Sequence, residues 1–175
     1  DGLGPKIVDQ LLDTGLIRDV SDLYTLTAGD LKPLERFAEK SASNLMVAIQ
    51  ERRVIPLHRF LYGLGLRHVG SETAFLLVNV LAGKRLERPK ALLEEMETWT
   101  PETLENIEGI GPIVAQSIVE DVHDAFFKRL IQKLDTVGVR LVVPEAMAKG
   151  KFSGKTFVLT GTLSSLTRES AAEKS

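Results

Sequence analysis

Apolar residues recur at spacings of three and four along most of this chain: Ile7, Val8, Leu11 and Leu12, then Leu45, Val47 and Ile49, then Leu76, Leu77, Val80 and Leu81. That period is the signature of helices with one buried face. It predicts a succession of short helices from residue 1 to about 143, with almost no strand signal. Polar punctuation marks several starts. Thr27 and Asp30 flank the glycine before Leu31, Ser71 stands ahead of Glu72-Thr73-Ala74, and Thr100-Pro101-Glu102 offers a cap, a first-turn proline and an acid. Helices this short are marginal alone, so they are expected to hold one another as a compact array of helical hairpins.

Between the helical stretches lie three glycine-apolar-glycine turns: Gly2-Leu3-Gly4, Gly63-Leu64-Gly65 and Gly109-Ile110-Gly111. Gly2-Leu3-Gly4-Pro5 and the helix behind it align without a gap on Gly109-Ile110-Gly111-Pro112 and its helix. A degenerate copy lies at Leu34 to Leu45, with Arg36 and Ala38 in place of the glycines, and the Gly63 copy has a longer turn running through Arg67 to Gly70. Such a turn bends the backbone sharply and then presents the unpaired N–H groups of a helix start, which can hold an anion. Several on one frame can follow the charge spacing of a nucleic-acid backbone. A dinucleotide site is excluded, since no strand precedes the turns and the third glycine of that fingerprint is missing.

After Val143 the pattern changes. Residues 144–151 read as a small-residue linker, Lys155 to Thr160 as a strand ended by Gly161, and Leu166 onward as the opening of a helix. A lone strand and helix cannot enclose a core, so residues 152–175 are expected to begin a second, truncated α/β domain after a helical domain at 1–143. The string Gly150 to Thr156 is one residue short of a phosphate-binding loop and leads into a strand, which makes it a strand lead-in.

Composition narrows the classes. Of the 175 residues 43% are hydrophobic, there is no cysteine, and the three histidines are scattered, which excludes disulfides and thiolate metal sites and fits a cytoplasmic protein. No apolar run is long enough for a membrane span, and Asp1-Gly2-Leu3 looks like neither a signal peptide nor an initiator start, as if the chain were an excised piece. The net charge of −2 hides a segregation: residues 32–90 carry eleven Lys or Arg against five acids, while residues 91–127 carry nine acids and no Lys or Arg. The acids at Glu94, Glu95 and Glu97 lack a partnered base, and those from Glu120 to Asp124 point around a helix, so they read as solvated charge with no bound ion. Trp99 and Tyr62 are expected as packing anchors.

The turns resemble the helix-hairpin-helix motif, with Val8, Ala42 or Ala115 as the small or apolar residue of the following helix. The order of four such units, the long turn Gly63 to Gly70, and then Phe152-Ser153-Gly154-Lys155-Thr156-Phe157-Val158-Leu159-Thr160-Gly161 closely resemble the C-terminal part of bacterial NAD-dependent DNA ligases. The resemblance implies a mainly α fold of four helix-hairpin-helix units, followed by the start of a BRCT domain. It implies a monomeric, cytoplasmic piece that grips duplex DNA, nicked in the enzyme's reaction, beside the remaining domains of the same enzyme. NAD, magnesium and zinc would belong to that whole enzyme and not to this stretch, which lacks the Lys-x-Asp-Gly nucleophile motif and the four-cysteine zinc module. The expected contacts are the backbone at Gly2, Gly4, Gly63, Gly65, Gly70, Gly109 and Gly111, with Lys6, Lys32, Arg36, Lys40 and Arg67 adding charge. The Gly63–Gly65 turn ranks strongest and the acid-flanked Gly109–Gly111 turn weakest. The alternatives are a helical protein-interaction module and a hairpin domain of another DNA-repair protein, and a steep fall of affinity with salt would favour DNA.

Overall fold

Prolines and capping residues set where the chain turns into helix. The computed structural model describes residues 3–34 and 38–145, which lie in a unit spanning Asp1–Glu145. Gly2, Arg36 and the BRCT-like strand fall outside the described residues. In order, the chain forms α1 (Pro5–Asp13), a 3-10 turn (Val20–Tyr24), α2 (Ala28–Leu31), α3 (Glu39–Glu51), β1 (Val54–Pro56), α4 (Leu57–Gly63) and α5 (Ser71–Leu81). Then follow α6 (Pro89–Met96), α7 (Pro101–Glu105), α8 (Pro112–His123), α9 (Ala125–Thr136) and β2 (Arg140–Val142).

The expected helical array is present, with two additions. β1 and β2 pair in parallel, Ile55 opposite Leu141, so a two-stranded ribbon closes the chain across α4 to α9. Strands of three residues are too short to show an alternation, which is why the apolar pattern gave no sign of them. The segment after β2 also stays docked: the Gly83 N–H donates to the Pro144 carbonyl at 3.0 Å. That contact carries the helical unit to Glu145, two residues past the boundary expected at 143.

Two buried clusters divide the unit. One gathers Leu11, Leu31, Leu45 and Ile49 from α1 to α3, and the other Leu57, Leu61, Leu77, Met96, Ile118 and Ile131 from β1 onward. Burying one such side chain contributes about 1.5–3 kcal/mol. Tyr24 packs against both clusters. Beside it Lys133 of α9 meets Asp19 at 2.6 Å, and the Arg53 guanidinium lies over the Tyr24 ring at 5.4 Å while donating to the Tyr24 carbonyl at 3.0 Å.

Each half contains two copies of one unit, and the copies align on the residue that opens the second helix: Gly4, Ala38, Gly70 and Gly111. Four positions later stand Val8, Ala42, Ala74 and Ala115, and seven positions later Leu11, Leu45, Leu77 and Ile118. The three alanines are fully buried, as are Leu11, Leu77 and Ile118. A side chain no larger than alanine lets the preceding helix approach closely there. In the first copy Val8 is only half-buried and Leu12 is 47% exposed, whereas Val78, eight positions after its own cap like Leu12, is 5% exposed. Trp99 is buried as a packing anchor, but Tyr62, expected as another, is 59% exposed on α4.

Candidate nucleic-acid interface

The four hairpin turns end in one backbone conformation. Gly4 has φ/ψ of −84/166, Ala38 −86/162, Gly70 −85/−174 and Gly111 −87/170, and no side chain hydrogen-bonds to the amides of the first turn that follows. Connecting segments are treated differently. Asp124 accepts from the Phe126 and Phe127 amides at 2.8 and 3.0 Å, Thr100 accepts from Thr103, and Asp19 accepts from Ser21. Among the described helices α2, α4 and α6 also have no hydrogen bond from a first-turn amide to the side chain of the capping residue, but they begin on Thr27, Pro56 and Arg88 and do not follow a hairpin turn.

Glycine is not required by the fold at the three glycine caps. Their φ values suit any L-residue, and a Cβ added at Gly4, Gly70 or Gly111 would meet nothing within 4 Å. Ala38 occupies the same conformation in the second copy. The missing side chain leaves the approach to the helix start open, where unpaired N–H groups and the positive end of the helix dipole favour an anion. Gly109 is different: its φ of +96 lies in the left-handed region, and a Cβ there would sit 2.9 Å from Leu76 Cδ1. It makes the turn that brings Gly111 into place.

The third turn corrects the register read from the sequence. Gly63 is the last residue of α4, and Gly65, with φ +69, terminates that helix while its N–H donates to the Tyr62 carbonyl at 3.3 Å. The Leu64 N–H is likewise used by the Phe60 carbonyl at 3.0 Å. This is the negative end of a helix with its amides spent, and it cannot serve as the strongest anion clip expected there. The equivalent of Gly109-Ile110-Gly111 is His68-Val69-Gly70. His68 takes the positive φ, at 64, and the Val69 amide donates to Leu66 at 3.1 Å as the Ile110 amide donates to Ile107 at 3.0 Å. Sequence reading missed the match because histidine stands where a glycine marks the turn in the fourth copy.

The expected cations fare unequally. Arg67 faces α8: its Nε reaches Asp121 Oδ1 at 2.7 Å and its Nη2 reaches Glu120 Oε2 at 2.9 Å. The hydrogen bond from Gln116 and then that from Arg67 hold the Glu120 carboxyl below its usual range, and the two acids push the Arg67 guanidinium up. Lys32 pairs with Glu39 at 2.9 Å. Lys6 and Lys40, in the first turns of α1 and α3, have no acidic partner within ion-pair distance among the described residues.

The segregation of charge along the sequence also does not survive folding as two opposed faces. Arg67, Lys84 and Lys90 of the basic stretch meet Glu120 with Asp121, Glu95 and Glu94 of the acidic one. The acids from Glu120 to Asp124 are similarly occupied, two on Arg67 and Asp124 as the cap of α9. The chain has no thiolate for zinc, and among the described residues no group of His, Asp and Glu is suited to a metal ion. Among them, too, no helix is long and apolar enough to cross a membrane.

Known families match this division into halves. A family model described as a SAM-like helix-hairpin-helix tandem matches residues 1–51, and one described as a helix-hairpin-helix motif matches residues 59–131. The chain is similar to helix-hairpin-helix proteins over both of these stretches. It is 42% identical over 172 residues to a DNA ligase of Gemmatimonas aurantiaca, covering 98% of this chain and 24% of that protein. A DNA ligase of Geotalea uraniireducens is 40% identical over 98% of this chain and 24% of its own length, and one of Anoxybacillus flavithermus is 42% identical over 99% and 25%. The chain thus spans about a quarter of the length of these relatives.

Proposed function

We propose that this chain is the duplex-holding part of a DNA ligase. It binds DNA without reading its sequence, by setting uncapped helix starts on backbone phosphates. The observation that carries this is the fourfold repetition of one N-cap geometry, left without a capping side chain and, at three of four positions, without any side chain. Backbone amides at helix starts recognise phosphate and carry no base information. Two hairpins in one half suit two phosphates across a groove, and the relatives' name, DNA ligase, supports a DNA partner.

Sealing nicked duplex in replication and repair, with NAD, magnesium and zinc, then belongs to the whole enzyme. This stretch contributes grip and no chemical step. The test is binding of the chain to a fluorescent duplex, intact and nicked, across a salt series. Affinity lost in Gly70→Asp/Gly111→Asp at unchanged helicity is the expected result. No binding to either duplex at low salt would favour a helical protein-interaction module instead.

A further inference from the structure

One residue ties the third hairpin turn to the fourth unit. Arg67 stands three positions ahead of the Gly70 cap and turns its polar groups onto α8. Its backbone N–H donates to Asp121 Oδ2 at 2.7 Å while its Nε donates to the other oxygen of the same carboxylate at 2.7 Å. Its Nη2 donates to Glu120 at 2.9 Å, and its carbonyl accepts from Ser117 Oγ at 3.1 Å. The contact joins loop and helix across fifty and more residues of sequence. Ser117 is buried, and the Asp121 side chain is 19% exposed.

We infer that Asp121 is a positioning residue that, through Arg67, fixes where the Gly70 turn sits relative to the Gly111 turn, and that Arg67 is the brace of this arrangement and not a phosphate ligand. The inference rests on the proposed phosphate contacts of those turns. An ordinary exposed ion pair adds little to stability. This carboxylate does something else, because one of its oxygens holds the backbone amide of the loop itself. Phosphates in a duplex have fixed separations, so two helix starts engage them together only if their own spacing is held. The free energy of the brace therefore appears in DNA affinity more than in unfolding.

The two roles for Arg67 predict opposite signs. If Arg67 reached a phosphate, Asp121→Ala would release it, raise affinity and steepen the salt dependence. As a brace, Asp121→Ala lowers affinity about fivefold or more, with the slope of log affinity against log salt unchanged. Arg67→Ala separates them again, since a lost phosphate contact would flatten that slope by about 0.9 and a lost brace would not. The chain has no cysteine, so nitroxides can be placed at Glu72→Cys and Ile113→Cys, both in exposed first turns of their helices. Pulsed dipolar spectroscopy without DNA is expected to give one narrow distance that broadens in Asp121→Ala, while Glu97→Gln, which breaks a pair with Lys128 at 2.6 Å, leaves it narrow. An unbroadened distance in a folded Asp121→Ala protein, or a gain in affinity, overturns the inference. If the unaltered chain bound no duplex, the proposed function would fail while the distance measurement still decided the brace.

Discussion

Placing an aspartate at Gly70 and Gly111 should make the protein more stable and worse at holding DNA. Both sites have open space for a Cβ and a φ near −86, so the substitution introduces no strain. An aspartate cap improves on glycine by only a few tenths of a kcal/mol, and its charge at the positive end of the helix adds about 0.3–1. The pair should then gain about 1–2 kcal/mol, which raises Tm by roughly 2–8 °C in a chain of this size. The same carboxylates sit where a phosphate would. Repulsion at about 4 Å costs about 1 kcal/mol even in bulk water, and losing a charged hydrogen bond from the amides costs about 1.5–3 more. Affinity should fall about thirtyfold or more for each turn. Differential scanning calorimetry and fluorescence anisotropy measure both sides on the same samples, with Gly70→Ala as the uncharged control, expected to give no gain in Tm and to lower affinity far less than the aspartate. A rise in Tm with undiminished affinity would refute the reasoning, and so would a fall in Tm that accounts for the lost binding.

Gly63→Ala should raise stability by up to about 1 kcal/mol, because Gly63 ends α4 with no left-handed φ and no neighbour near its Cβ, and duplex affinity should stay the same. Leu11→Ala should cost about 2–5 kcal/mol in a chemical denaturation, while the neighbouring Leu12→Ala, on a face 47% exposed, should cost less than about 1. Burial raises the Asp135 carboxyl pKa, but the Arg88 hydrogen bonds and the Lys90 amide outweigh it and hold the value below normal. Stability from this group is therefore present above the unfolded pKa of about 3.9 and lost as pH falls through the lower folded value, and Asp135→Asn should remove that part of an acid titration followed by circular dichroism.

The helical part of the fold was legible because its buried faces repeat every three to four residues and its caps at Thr27 and Thr100 are chemical signals. The Asp30 carboxylate accepts from the Thr27 amide at 2.8 Å, and the Thr103 hydroxyl does the same for Thr100 at 2.9 Å. The site was only half legible. Gly63-Leu64-Gly65 and Gly109-Ile110-Gly111 are the same string to the eye, yet a glycine can end a helix in the left-handed region as readily as it can open one in an extended conformation. What separates them is where the preceding helix stops, at Gly63 in one copy and at Glu105 in the other. Spacing to the buried alanine four residues past the cap, Ala74 or Ala115, would have placed the third turn at Gly70. The partners of Arg67 were beyond reach, since a pairing across fifty-four residues leaves no local trace.

The ion pairs change what holds DNA. The net charge is −2 and the basic stretch is partly neutralised by Glu95, Glu120 and Asp121, and among the described residues Lys6 and Lys40 stand in helix first turns of the hairpins without an acidic partner. Salt dependence counts the cations that displace counterions, and these two by themselves would give a slope of only about −2. Oriented amides contribute partial charges at fixed positions, and their strength lies in being held in place without reorganisation. That makes rigidity between turns the quantity that matters, which is what Arg67 and Asp121 supply. It also makes each half a weak binder by itself, so a grip on duplex must come from several turns acting together.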